Sequence, residues 1–439
     1  MKTPIFDFVK GYAASGVSRF HMPGHKGVTR LGCEHLDITE VAGADVLYAP
    51  DGIIAESEQN ATALFGTAHS YYSAEGSTLA IKAMLALALP QDGRRKTVLA
   101  ARNAHKAFLY AAALLDFDIA WIYPHSGAHF CSCAVSAAQI AHRLANGQRP
   151  DAVYLTSPDY MGQIADVAGI AAVCDEHGIP LLVDNAHGAY LKFLPKDSHP
   201  ITLGATMCCD SAHKTLPVLT GGAYLHISRK ATHLCEAARE KLALFASTSP
   251  SYLILQSLDL CNAYLADGYS EKLQSFIKKA ERIRQKSALT GLEIAESEPL
   301  KLVFTQIDGN AAAQVLREAG IEPEFTDSDT LVLMLTPENT DTELLRLEAA
   351  LPALAACKKA AIAPLPALSP APVRMTVREA MLAPHEVLPI TQTVGRVCGA
   401  PAVSCPPAIP LAVCGEEITP ETVSLFRQFG IVSVPVVKE

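Results

Sequence analysis

The sequence predicts an α/β protein with a mostly parallel sheet, on three observations. From about residue 71, short β-rich runs alternate with helical stretches. After about residue 290 the alternation starts afresh, and the first 70 residues lack it. Strands joined through helices need crossover connections, which run right-handed and make neighbouring strands parallel. The expected layout is an N-terminal arm over 1–70, a large α/β domain over 71–290 and a smaller α/β domain over 291–439.

The arm is punctuated by Gly and Pro, most densely in Phe20-His21-Met22-Pro23-Gly24-His25-Lys26-Gly27. In the large domain, Leu79 to Leu89 is rich in helix formers and Thr97 to Ala100 reads as a buried strand. Lys106 to Leu115 is a helix and Ile119 to Tyr123 a strand. Ala134 to Asn146 is a helix and Ala152 to Thr156 a strand. Ile164 to His177 is mostly helical, and Leu181 to Asp184 is a strand. In the small domain, Lys301 to Ile307 and Thr330 to Thr336 read as strands. Asn310 to Gly320 and Thr340 to Leu354 read as helices, the second with a break expected near Pro352. Ala360 to Pro372 is an Ala/Pro connector, and Thr419 to Phe429 a last helix.

Composition narrows the function classes. The 439 residues are 49% hydrophobic and 18% charged, as in well-packed globular chains of more than one core. The net charge of −9, without a long basic run, argues against nucleic acid and anionic membrane as partners. Met1 to Asp7 lacks the apolar core of a signal peptide. The apolar stretches Ala83 to Leu89 and Ala349 to Cys357 fall well short of the roughly 20 residues that span a bilayer. A cytoplasmic protein is expected. Its twelve cysteines read as reduced thiols used as small hydrophobes. Neither Cys131-Ser132-Cys133 nor Cys208-Cys209 has a second pair at zinc-ligand spacing, so no metal is expected.

The chemistry concentrates in four loops. Asp210-Ser211-Ala212-His213-Lys214 follows the strand that ends at Asp184, and ligands of open parallel sheets bind beyond the carboxyl ends of strands. A lysine there can form an imine with an aldehyde cofactor. An aspartate there can pair with a protonated pyridine nitrogen. Lys214 and Asp184 thus meet the minimum requirement for pyridoxal phosphate, and Ser211 and His213 can donate to its phosphate. By themselves the two residues equally fit an exposed lysine and a capping aspartate. Gly76-Ser77-Thr78 opens the helix from Leu79 and offers a phosphate cradle of backbone N–H groups and hydroxyls, although such a triplet alone is more often a plain helix cap. His105, in Arg102-Asn103-Ala104-His105-Lys106, can stack on a pyridine ring. His187, three residues past Asp184, can approach the cofactor hydroxyl or the substrate carboxylate. A lone histidine rarely carries such a role; four convergent loops do.

These motifs resemble the short form of the Orn/Lys/Arg decarboxylase family, which lacks a separate N-terminal wing domain. The resemblance spans most of the chain. Phe20 to Gly27, Leu36 to Glu40 and Leu64-Phe65-Gly66 resemble N-terminal signatures. Gly76-Ser77-Thr78 resembles the phosphate loop, Arg102 to Lys106 the motif whose histidine stacks on the cofactor, and Ser211 to Lys214 the Schiff-base motif. Thr248-Ser249-Pro250-Ser251-Tyr252 resembles a signature that reaches the partner subunit's site. Ala408 to Leu411 with Gly415-Glu416 resembles the C-terminal signature.

The resemblance implies a fold-type-I pyridoxal-phosphate enzyme of the aspartate-aminotransferase-like class. It also implies decarboxylation of lysine, arginine or ornithine, and a homodimer or higher homo-oligomer with shared active sites. Thr248 and Ser249 would then join Lys214, Asp184, His105, Gly76, Ser77, Thr78, Ser211, His213 and His187 as cofactor-site residues. Glu75, Ala107 and Asn185 depart from the usual Asn, Ser and Glu, and Leu79-Ala80 from a Gly-Asn pair. A carboxylate beside a phosphate is unfavourable, so Glu75 is expected to point away. The same scaffold serves aminotransferases and lyases; release of carbon dioxide rather than a keto acid separates these. A regulator that merely binds the cofactor is the third reading, and the joint presence of Lys214, Asp184 and His105 argues against it.

Overall fold

The computed structural model describes residues 1–124, 132–359, 368–403 and 409–439. Cys131, residues 360–367 of the connector and Ala408 lie outside these. A seven-stranded sheet forms the centre: β1 (His69–Ser73), β2 (Thr97–Ala101), β3 (Asp118–Ile122), β4 (Ala152–Thr156), β5 (Leu181–Asp184), β6 (Met207–Asp210) and β7 (Ala223–Ile227). The order across the sheet is β1-β7-β6-β5-β4-β2-β3. β7 runs antiparallel to both its neighbours, and the other pairings are parallel. The carboxyl ends of β1, β2, β4, β5 and β6 therefore open on one edge, and all four chemistry-bearing loops leave from it.

Both faces of this sheet are covered, which is why its strands read as continuous apolar runs. Side chains alternate between faces. Leu99, Val153, Leu155, Leu181, Val183 and Cys208 enter one core, and Val98, Ala100, Tyr154, Leu182, Met207 and Cys209 enter the other. The first core also takes in Leu411, Ala412, Val423 and Phe426. The C-terminal segment thus returns to the large sheet.

A second, four-stranded sheet spans Glu293 to Met334. Its Leu302, Phe304 and Leu331 share a core with the long helices Tyr252–Ala266 and Tyr269–Leu289. The helix Asp341–Ala355 runs unbroken through Pro352. A proline in the last turn of a helix removes only one backbone bond, so the expected break does not occur. The arm is more regular than its Gly and Pro content predicts. It contains α1 (Pro4–Ala14) and α2 (Ile53–Phe65), whose Ile5, Val9, Ile54 and Phe65 are buried. No helix among the described residues is long and apolar enough to cross a membrane. The ten described cysteines are free thiols, seven of them buried.

Candidate active site

The loops after β5 and β6 carry Asp184 and Lys214 to neighbouring positions. Asp184 pairs in register with Cys209, and the Asn185 amide donates to Asp210 Oδ1 at 2.7 Å, tying the two strand ends together. Asp184 is buried. Its Oδ2 accepts from the Tyr154 hydroxyl at 3.1 Å and its Oδ1 from the Ala186 amide at 3.2 Å. Lys214 is half-buried in the short helix Ala212–Thr215, with Nζ 3.2 Å from His187 Nε2.

His187 is buried, and no partner for its Nδ1 exists among the described residues. Burial pushes its pKa well below 6.5, with Lys301, Lys214, His105 and His213 adding to the effect. His187 is therefore a neutral imidazole that accepts from the Lys214 amine. His105 caps the helix α3 (Lys106–Leu115) through an Nδ1 bond from the Ala107 amide at 3.2 Å. The residue as a whole is exposed. Desolvation lowers its pKa; Asp184 opposes this, while Lys214 and Lys106 reinforce it. The carboxyl edge of the sheet therefore holds His105, Asp184, His187 and Lys214, with His105 within electrostatic reach of Asp184, Lys214 and His187.

The expected phosphate cradle joins the same edge. Helix Gly76–Ala88 starts at the carboxyl end of β1, where first-turn amides have no intrahelical partner. Gly76 takes a φ of +69°, and nothing lies within 4 Å of where a Cβ would stand. The Ser211 hydroxyl donates to Ser77 Oγ at 2.8 Å, linking the cradle to the Lys214 loop. His213 Nδ1 lies 3.0 Å from the Gly222 carbonyl, so Nε2 is the ring atom left for other partners. The Glu75 carboxylate accepts from the Ser247 amide at 2.6 Å, so it is taken up by the loop that leads to Thr248 and Ser249. Those two residues are exposed, and among the described residues no hydrogen bond joins them to the Lys214 loop.

Sequence reasoning missed Tyr154, because a tyrosine inside a buried strand carries no motif. It also missed the partner of Arg102. That guanidinium makes a two-pronged bond to Glu416, Nη1 to Oε1 at 2.6 Å and Nη2 to Oε2 at 2.7 Å. Both residues sat in motifs, but nothing in their spacing joins positions 314 residues apart. His199, Cys208 and Asp210 also place ligand-type atoms within 4.8 Å of one another. Their atoms are already engaged: His199 Nε2 and His226 Nε2 lie 3.0 and 3.2 Å from Asp210 Oδ2.

The residues fit pyridoxal phosphate. His187 Nδ1, Thr215 Oγ1 and both side-chain polar atoms of Asn103 are buried without partners among the described residues. Buried polar groups are normally paired, so this edge is built to receive a polar ligand. Its donor set, an amine, a carboxylate, imidazoles and a hydroxyl-lined helix start, is the set such a cofactor needs.

A sequence model of the Orn/Lys/Arg decarboxylase major domain matches residues 3–300. The uncharacterized protein YaaO of Bacillus subtilis (strain 168) is 29% identical over 464 residues, covering 96% of this chain and 93% of that protein. The arginine decarboxylase of Halalkalibacterium halodurans is 28% identical, covering 99% and 95%. The constitutive lysine decarboxylase of E. coli shares the fold, with a TM-score of 0.80 and 19% identity over 100% of this chain and 82% of that one.

Proposed function

Because the chain belongs to the Orn/Lys/Arg decarboxylase family, we propose that its reaction, removal of the α-carboxylate of a basic amino acid, runs on pyridoxal phosphate attached to Lys214. The observation that carries this reading is the meeting of Lys214, His187, Asp184 and His105 at the carboxyl edge, beside polar atoms that lack partners among the described residues. When bound, the cofactor supplies the electron sink for the pair that departing carbon dioxide leaves on Cα.

The chain's own residues do the rest. The Lys214 amine would hold the cofactor and be released from it by the substrate amine. The neutral His187 Nε2 accepts a hydrogen bond from Lys214 Nζ and so fixes the direction of the amine. The Asp184 carboxylate keeps a proton on the ring nitrogen, and Tyr154 keeps that carboxylate aimed. The His105 ring offers a flat face on which the cofactor would stack. Gly76, Ser77, Thr78 and Ser211 receive the phosphate, with His213 beside them. Lys214 and His213 are the two candidate donors of the proton that returns to Cα.

Assembly completes the site. Phe20 and Leu31 are 96% and 89% exposed, and Met22 and Val28 are exposed near them. Apolar side chains gathered in solvent mark a contact surface, which suits a homodimer or higher homo-oligomer in which Thr248 and Ser249 reach the partner's phosphate. Dilution to monomer should then remove bound cofactor and activity together. We read the enzyme as cytoplasmic and its product amine as part of polyamine metabolism.

A substrate panel tests the function. Arginine comes first, since it stands in the name of a relative matched over nearly its full length; lysine, ornithine and norleucine follow. The distal cation needs a negative partner once desolvated. A hydrogen bond to a charge contributes roughly 1.5–3 kcal/mol, so norleucine should be poorer by about tenfold to a hundredfold. Equal turnover of norleucine would remove the basic-substrate reading.

A further inference from the structure

Arg102 opens the loop that ends in His105. Its side chain is 1% exposed and that of its partner Glu416 2%. Besides the two-pronged bond, Arg102 Nε donates to the Pro410 carbonyl at 3.2 Å. The guanidinium lies 4.9 Å from the Trp121 ring centre and 5.2 Å from that of Tyr123. Its own backbone amide is held by the Ile122 carbonyl at 2.9 Å.

The Glu416 end is equally fixed. Its Oε2 accepts from the Val413 amide at 3.0 Å, and its carbonyl accepts from the Cys398 amide at 2.8 Å. Beside it, Gly415 takes a φ of +91° and lies so close to residue 375 that a Cβ would stand 2.3 Å from the Met375 carbonyl oxygen. Three passes of the C-terminal segment meet at this point, and Arg102 is plugged into it.

A buried ion pair is a poor way to gain stability, because desolvation offsets most of its attraction. What a bidentate fork supplies is geometry. Three residues beyond this fork stands His105, held on its far side by the cap of α3; between the two, the Ala104 amide donates to the Ala101 carbonyl at 3.2 Å, the Thr156 hydroxyl reaches the Asn103 carbonyl at 3.4 Å, and the Asn103 side chain has no partner among the described residues. We propose that Glu416, acting through Arg102, is a positioning residue for His105, and that the C-terminal segment is thereby part of the frame of the active site. This rests on the reading of His105 as the residue that orients the cofactor.

The test uses the full-length protein with its cofactor and three variants: Glu416→Gln, the double replacement Arg102→Met with Glu416→Met, and His105→Ala as benchmark. The readouts are kcat, KM, cofactor Kd, the circular dichroism of the bound cofactor, and Tm. Displacement of an orienting group by about an ångström costs up to a hundredfold in rate. Glu416→Gln should therefore lower kcat by about tenfold or more, leave KM within about threefold, and move the cofactor dichroism as His105→Ala does. The double replacement leaves no unpaired buried charge; it should recover Tm and leave kcat and the dichroism impaired. Wild-type kcat and dichroism in Glu416→Gln, or their recovery in the double replacement, would overturn the proposal, whatever happens to Tm. Wild-type dichroism in His105→Ala would instead overturn the reading of the site beneath it.

Discussion

Asp184 and Asp210 end adjacent strands of one sheet, and both are buried, yet their surroundings differ in kind. Asp184 shares a face with Tyr154 and Cys209 and borders an edge where His187 Nδ1 and the Asn103 side chain lack partners among the described residues. Asp210 shares the opposite face with Cys208. It is enclosed by His199, His226 and Asn185, and Ser70 in turn lies 2.8 Å from His226 Nδ1. The Ile201 amide donates to His199 Nδ1, so His199 Nε2 carries the hydrogen that Asp210 accepts. One carboxylate stands in an open set of polar groups and the other in a closed one. An open set is paid for in stability and used in binding; a closed set holds strand ends in place.

The sharpest way to break this comparison is through the amine that the open set surrounds. Lys214→Ala should abolish covalent attachment of the cofactor and all measurable decarboxylation. Borohydride reduction of the wild type should label Lys214 alone, read by peptide mass spectrometry. Label on another lysine would move the site elsewhere.

Next in size is the pair of aspartates. Asp184→Ala should cut turnover by several orders of magnitude and weaken cofactor binding, because the ring nitrogen loses the group that keeps it protonated. Stability should change little by comparison. Asp210→Asn should do the reverse. It removes the charge that two imidazoles face, at a cost of about 3 kcal/mol or more, while the protein that remains folded keeps most of its turnover. If the two variants exchange these phenotypes, the open and closed sets have been assigned the wrong way round.

The closed set also has a pH signature. The imidazoles hold the Asp210 carboxyl well below 3.8 against the burial that raises it, and burial holds His226 below 6.5. His187 in the open set is held below 6.5 as well. In each case the unfolded chain binds more protons than the folded one just below the unfolded pKa. The contribution of these three groups to stability is therefore complete above about pH 6.5, falls below it as the histidines charge on unfolding, and falls again below about pH 4 on account of Asp210. Denaturant titrations from pH 8 to pH 3 should show both descents, and Asp210→Asn should erase the second. A flat profile down to pH 4 would contradict the burial of these histidines.

Much of this was legible in the sequence. The alternation of runs gives strands β2 to β5 within a residue or two, because buried parallel strands are apolar throughout. The four loops of the open set are legible because chemistry demands particular residue types there. The closed set was not, since its histidines come from β7 and a connecting loop and carry no local pattern. Nor was the Arg102–Glu416 pair, which exists only once the C-terminal segment returns to the large sheet. The arm's two helices escaped notice because Gly and Pro dominate the residues between them. Their stability comes from burial of Ile5, Val9, Ile54 and Phe65 rather than from propensity.

The smallest effect tests a third buried aspartate. Asp259, on the helix Tyr252–Ala266, accepts from the Ile5 and Phe6 amides at 2.9 and 3.0 Å and from the Ser57 hydroxyl. It thereby caps the N-terminus of α1 from across the chain, a place where amides lack intrahelical partners. Here no imidazole answers the charge, and burial raises the pKa to about 6 despite the donors. The sign is opposite to that of Asp210. Between the unfolded value of 3.8 and the folded value of about 6, the folded chain binds the extra proton, so this group's contribution to stability is complete at low pH and declines as pH rises through 6. Asp259→Asn removes that decline. Relative to wild type, the variant should gain stability as pH rises from 4 to 6.5, by no more than about 2 kcal/mol, measured as the difference between the two denaturant curves at each pH. Parallel curves over that range would mean that Asp259 is ionised throughout, and that the helix N-terminus it caps stabilises its charge as fully as the two imidazoles stabilise that of Asp210.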